Sequence, residues 1–381
     1  MSKPILKFDR EESTPRLVET NQVAPAYNVP ELPDTHAYSA SSCPNDLKYY
    51  LLPDGSPFGL FSDPYATLVY LDSNNNRSGR YWLNSRMEDH SFTEREILLI
   101  KLLSENRVAT RQQIKKIVFR EEDKNDAVLN FLKQYRSRGL ICAFSWASPL
   151  HDGKKKPLVY GLTQIGIEAA NCLFHKELDK DYRFVPIAYK PGTGPAMLSF
   201  FLDLAANELY SELTRIDRVI SWRRRPMITF DDKSYFIPCA SMDVIKDENE
   251  IFSFWVEVVR TGSSWVDKLI SRFKRIQQSY LKIQPEQRPT RLIIIADGDA
   301  RIPFISELAY KYMPNVEVRY TTDERLLTGL NKETFLSHNP MTQELKFSGI
   351  SFFQDRHPGM TASAYFASQS LNIEDEEEWY E

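Results

Sequence analysis

The sequence predicts a mixed α+β or α/β chain, with a winged helix-turn-helix at residues 91–178 and a mixed-sheet α/β domain at residues 190–330. Three observations predict it. Three helical patterns between Ser91 and Arg138 are followed by two strand patterns around a polar loop. From Met197 to Thr321 the order reads helix, three strands, helix, strand, helix, strand, as in sheets built from strand–helix–strand units. Charge is also uneven: 14 Lys and Arg against 8 Asp and Glu between Glu94 and Tyr160, whereas the 381-residue chain has 48 against 52 and a net charge of −4. The chain as a whole is therefore no polycation, but one region has a basic footprint.

Residues 1–46 are polar and rich in Pro, Glu, Ser and Thr, and read as a flexible arm. Residues 47–90 form a short β-rich segment, with alternating aromatic and aliphatic runs (A-T-L-V-Y-L, R-Y-W-L) between turn signals. Thr93 and Glu96 have capping-box spacing and start a helix with Leu98, Leu99, Leu102 and Leu103 on one face. Asn106 stops it. Thr110 caps a second helix carrying Ile114, Ile117 and Val118. A third helix runs from about Asp123 to Arg138, with Ala127, Val128, Phe131, Leu132 and Tyr135 apolar, and Gly139 supplies the left-handed residue at its end. Two strands, L-I-C-A-F and L-V-Y-G-L, flank H-D-G-K-K-K-P as a wing with a basic tip, and Thr163 caps a last helix.

A linker with P-G-T-G-P follows at about 179–193. The next helix, Met197–Thr214, has Leu198, Phe201, Leu202, Leu209 and Leu213 at helical spacing. Residues 331–381 read as an irregular tail ending in E-D-E-E-E-W-Y-E.

A winged helix with basic side chains implies double-stranded DNA as partner. Arg111, Lys115, Lys116, Lys124, Arg136 and the wing residues Lys154, Lys155 and Lys156 are candidates for phosphate contacts. Asn125, Asn130, Lys133 and Gln134 on the third helix are candidate readers of base edges. A winged helix that docks a partner protein is the adaptor alternative. Several classes are disfavoured. No apolar run approaches the ~20 residues of a membrane span, and the N-terminus lacks a signal-peptide core, so a cytoplasmic protein without a membrane partner is expected. The four cysteines form no C-x-x-C pair, the six histidines have no metal spacing, and a P-loop motif is missing. No cofactor is expected unless the chain is a nuclease.

The αβββαβ order from Met197 is that of the PD-(D/E)XK nuclease-like fold. Asp243 and Glu257 lie in adjacent strand runs, where two carboxylates can converge on one Mg²⁺. Glu208 is a further carboxylate. The motif lysine position is Val259, and the nearest bases are Arg260 and Lys268. A non-catalytic module of this fold is favoured. The alternative is a Mg²⁺-dependent endonuclease using Asp243, Glu257 and Lys268. In the non-catalytic reading the two acids are still expected at the same end of the sheet, with Lys268 or Arg260 pairing with them and leaving no ordered divalent metal. Arg223, Arg224 and Arg225 read as a solvated strand edge or a phosphate grip, and D-G-D-A-R with Asp297 and Asp299 as a turn.

Residues 91–330 resemble the replication-relaxation family of plasmids and mobile elements of Gram-positive bacteria. The resemblance is carried by F-T-E-R-E-I-L-L-I-K-L-L, R-G-L-I-C-A-F, Y-G-L-T-Q-I-G, M-D-V-I, F-W-V-E-V-V-R-T-G and R-L-I-I-I-A-D-G-D-A-R-I. The family pattern in the second half is Pro-Asp-Ala, then Glu-x-Asp-Arg-Gly-Thr, then a helix with lysine. Asp243, Glu257, Arg260, Gly262 and Lys268 are kept, with departures at Met242, Val259 and Thr261. The resemblance implies an accessory or regulator of plasmid replication, relaxation, mobilisation or conjugative transfer. Replication or relaxosome proteins, and a second copy in a homodimer, are the further partners it suggests.

Overall fold

The computed structural model describes residues 38, 43–72, 79–150, 155–190, 192–231, 234–248, 250–355 and 357–377. They fall into two compact units, one within Pro30–Leu51 and Gly55–Ser211, the other within Leu52–Asp54 and Glu212–Glu381. Most of the expected N-terminal arm, Lys154 at the wing tip and the last four residues lie outside the described residues. The chain is mixed α+β with a mixed sheet. Among the described residues, no helix is long and apolar enough to cross a membrane.

The first unit contains β1 (Thr67–Tyr70), α1 (Gly79–Glu88), α2 (Glu94–Asn106), β2 (Val108–Thr110), α3 (Arg111–Val118), α4 (Asn125–Ser137), β3 (Ile141–Ala147), β4 (Val159–Leu162), α5 (Gln164–Phe174) and most of α6 (Leu198–Arg215). Its sheet is antiparallel in the order β1-β3-β4-β2. Local chemistry starts the helices where the sequence indicates. The Thr93 hydroxyl accepts from the Glu96 N–H and the Glu96 carboxylate from the Thr93 N–H; Thr110 and Gln113 repeat the arrangement at α3. Gly139 takes φ 72° after α4, a region that favours a residue without Cβ. Leu102, Val128, Leu132 and Tyr135 lie in one core with Leu99, Ile114 and Leu140, and Leu98 and Phe131 pack against it. Each fully buried leucine there contributes about 1.5–3 kcal/mol. Glu96 also serves tertiary structure. It accepts from the Tyr135 hydroxyl and lies 3.4 Å from Arg86, so it joins α1, α2 and α4. Burial, then the bond to Glu96, pushes the Tyr135 phenol above its usual range.

The second unit contains β5 (Val219–Arg224), β6 (Ile228–Asp231), β7 (Ser234–Phe236), β8 (Ala240–Asp247), β9 (Glu250–Val258), α7 (Trp265–Lys282), β10 (Arg291–Ala296), α8 (Ile302–Tyr312), β11 (Val318–Thr322), α9 (Asp323–Leu327), β12 (Leu336–Asn339), β13 (Glu344–Phe347) and α10 (Ala362–Glu377). Seven strands form a sheet in the order β13-β12-β11-β10-β9-β8-β5, with β9, β10 and β11 parallel and the outer pairs antiparallel. Both parallel connections step the same way, so right-handed crossovers place α7 and α8 on one face. There the Trp265 and Phe304 rings meet at 5.7 Å. Period-2 alternation points Phe252 and Phe254 to the other face, where they pack against Phe352 and Phe353.

Two readings of the elements are corrected. Residues 47–90 are not a set of strands: among the described residues there only β1 is a strand, and R-Y-W-L lies in α1. The buried positions there, Gly79 and Leu83, are one helical turn apart rather than two residues apart. Residues 331–377 are not an irregular tail. β12 and β13 extend the sheet, and α10 starts where the Ala362 N–H donates to the Asp217 carbonyl at 2.7 Å.

Candidate nucleic-acid interface

α4 is a two-faced helix. Val128, Leu132 and Tyr135 are buried, while Asn125, Asn130, Lys133, Gln134 and Ser137 are exposed, with Lys124 at its start. The exposed group carries amides and amines that can donate to and accept from base edges. Between β3 and β4, Lys155 is exposed and Lys156 half-buried. Arg111 is the first residue of α3 and is half-buried. Lys115 reaches from α3 to the Asn125 side-chain oxygen at 3.2 Å, tying the start of α4 to α3.

Two basic residues assigned to phosphate have structural partners instead. Lys116 forms an ion pair with the buried Glu208 of α6, which also accepts from Gln113 Nε2 at 2.9 Å. An almost fully buried carboxylate is stable only when paired, which accounts for both partners. The same contact removes Glu208 from any acid site in the second unit. Arg136 grips Asp72 with two nitrogens, at 2.6 and 3.1 Å, and Asp72 also accepts from the Ala143 N–H. Arg136 thus fastens α4 to β3. Neither residue was recognisable as structural from local sequence, since each acid lies 64 or more positions away.

The acids of the second unit do not converge as expected. Asp243 on β8 pairs in register with Ser221 on β5 and Ser253 on β9, and both hydroxyls donate to its carboxylate at 2.5 Å. Glu257 lies four residues beyond Ser253, on the same face but about 13 Å along the strand. The two are not at the same end of the hairpin. The residue beside Glu257 is Cys239, whose Sγ is 3.7 Å from Glu257 Oε2. Pro238-Cys239-Ala240, four residues before Met242-Asp243-Val244, is thus the stretch beside Glu257.

Glu257 is 4 % exposed, and both its oxygens are held by Arg272 of α7, at 2.7 and 3.0 Å. Arg272 also donates to the Ile237 carbonyl and lies 4.5 Å from the Phe236 ring. A salt bridge does occupy the carboxylate, but neither expected base makes it. Lys268 is exposed and caps the Ser263 carbonyl at 2.9 Å. Arg260 is buried against Asp323 at 2.5 Å and the Ile295 carbonyl at 3.2 Å. Arg272 is one helical turn beyond Lys268, on the side of α7 facing the sheet.

Mg²⁺ needs several convergent oxygens, and these residues do not fit it: one acid is engaged by two serines, the other by a guanidinium. Among the described residues, no three His, Cys, Asp or Glu side chains are grouped so that they could hold a metal ion. Asp297 and Asp299, after β10, are bonded to Arg301 at 3.0 Å and Arg325 at 2.6 Å.

Neither the curated proteins nor the solved structures contain a match to the chain. Residues 100–270 match the replication-relaxation family, a region that runs from within α2 to within α7 and contains α3, α4, Cys239, Glu257 and Lys268. Over these residues, a little under half of the chain, the protein is similar to the replication-relaxation family.

Proposed function

We propose that this protein is a DNA-binding accessory or regulator in plasmid or mobile-element replication, relaxation or transfer. Residues 91–178 act as a winged helix with α4 as the recognition helix, and the second unit is a non-catalytic relative of the PD-(D/E)XK fold. The observation that carries the reading is the exposed face of α4, where Asn125, Asn130, Lys133 and Gln134 stand opposite a buried apolar face. The family match over residues 100–270 supports the replication or relaxation setting. The engagement of Glu257 by Arg272 supports a binding rather than a cutting role.

Phosphate contacts give affinity that falls with salt, and base contacts give preference among sequences. Lys155→Ala with Lys156→Ala should weaken binding to all duplexes alike and flatten the salt slope by about 2. Asn130→Ala and Gln134→Ala should narrow the gap between preferred and random duplexes by about 1–3 kcal/mol each. Fluorescence anisotropy with selected and random duplexes reads both. Binding by the wild type that none of these variants changes would remove α4 and the wing from the interface. Binding to a partner protein with no affinity for DNA would favour the adaptor reading.

A further inference from the structure

We propose that the β-ribbon made by β5, β6, β7 and the start of β8 is a second surface for the DNA backbone, centred on Arg223 and Arg225. It rests on the reading that the chain binds double-stranded DNA, and adds a contact that α4 and the wing do not supply. The ribbon is continuous. Arg224 pairs with Ala240, the Arg225 N–H donates to the Cys239 carbonyl at 3.0 Å, and beyond the bend Ile228 pairs with Phe236 and Thr229 with Tyr235. One side packs along α7: Arg272 donates to the Ile237 carbonyl, Arg275 to the Tyr235 carbonyl at 2.9 Å, and Lys282 to Asp231 at 2.8 Å.

Arg223 pairs with Ser241, which pairs with Trp255, so it lies on the α7 face of the sheet, at its edge. Exposure alternates along the strand, so that Arg223, Arg225, Met227, Thr229 and, across the ribbon, Tyr235 are exposed. A two-stranded ribbon with exposed side chains has the width and shape to enter a groove or run along a phosphate track. Its charge suits a polyanion: residues 219–239 and 265–282 hold nine Lys and Arg against three Asp, in a chain whose net charge is −4. Arg272 and Lys282 have carboxylate partners, whereas among the described residues neither Arg223 nor Arg225 has one. Arg225 also holds a left-handed backbone, φ 47°, at a position where glycine or asparagine would be less strained. Guarding an open strand edge requires only that charges be present. It does not account for two exposed guanidinium groups that have no carboxylate partner among the described residues, close along the chain to Tyr235, whose ring is backed by Arg275 at 5.5 Å.

The test uses the full chain and a labelled duplex of arbitrary sequence, with affinity measured across a salt series. Arg223→Gln with Arg225→Asn, the asparagine chosen to tolerate the left-handed backbone, should lower affinity and reduce the salt slope by about 2, one counterion for each lost contact. Arg223→Lys with Arg225→Lys should recover the slope, since charge remains. In a chain already carrying Lys133→Ala, Lys155→Ala and Lys156→Ala, the ribbon pair should remove binding that persists. An unchanged slope in the Gln/Asn pair, with loss in the α4 and wing variant, overturns the ribbon surface and leaves the recognition-helix reading standing. Loss in the Gln/Asn pair without loss in the α4 and wing variant upholds the ribbon and overturns that reading. No duplex binding by the wild type overturns both.

Discussion

Arg272 closes the position where the second unit brings an acid to the end of a strand. Its guanidinium takes both oxygens of Glu257, whose side chain is 6 % exposed against 32 % for the arginine. Removing the base would leave a buried carboxylate without compensation, so Arg272→Ala should destabilise the protein by about 3 kcal/mol, the low end for a buried pair because the arginine is partly wet. Glu257→Gln should cost less, because the charge left unpaired is the partly wet guanidinium and the amide oxygen can still accept from it. Urea denaturation compares them, and equal losses would contradict the argument. A second residue-scale prediction concerns His338 on β12. Burial lowers its pKa below the ordinary 6.5, with Glu307 opposing. Among the described residues, neither ring nitrogen has a hydrogen-bond partner. The unfolded chain therefore takes up a proton before the folded chain does. Stability is highest above pH 6.5 and falls as pH drops from there toward the lower folded value. His338→Leu should flatten that part of the curve. Parallel melting curves for the two proteins between neutral and mildly acid pH would count against it.

At the scale of elements, α1 depends on a close approach that only glycine permits. A Cβ at Gly79 would lie 2.0 Å from the Arg138 carbonyl oxygen and 2.6 Å from Ile165 Cδ1. A carbonyl at the end of α4 cannot swing aside as a flexible side chain can. Gly79→Ala should therefore cost about 1–3 kcal/mol although alanine is the better helix former. Arg138 should also lose its place over the Trp82 ring, now 5.1 Å from its centroid. Tryptophan fluorescence during denaturation reads both effects, and a stabilised Gly79→Ala would show that α1 can move. The helix starts at Thr93 and Thr110 were legible because a capping box lies within four residues. α1 was not. Its alternating aromatic run fits a strand as well as a helix, and what decides is the partner that Leu83 and Gly79 pack on.

At the scale of the whole molecule, the family match spans parts of both units. The net charge of −4 would repel DNA if it were uniform, so any binding must come from local surfaces. A ligand raises the melting temperature only if it binds the native state. With the acids apart and engaged, millimolar Mg²⁺ should leave the melting temperature of the full chain unchanged. A rise that disappears in Glu257→Gln would restore the endonuclease reading, and metal-dependent nicking of supercoiled plasmid would do so directly.

The sequence by itself determined the helices with local caps, the left-handed Gly139, the apolar face of α4, the strand runs of the second unit as far as β11 and the family resemblance of residues 100–270. Each rests on interactions within a few residues, or on a periodicity that any segment displays. Only the tertiary structure decided the rest. The β8–β9 register placed Cys239, not Asp243, beside Glu257. Side-chain pairing across the fold turned Lys116 and Arg136 into structural ties and put Arg272 where Lys268 was expected. A register shift of four residues keeps every side chain on the same face, so hydropathy alternation cannot detect it. Ion pairs between distant positions leave no trace in local spacing.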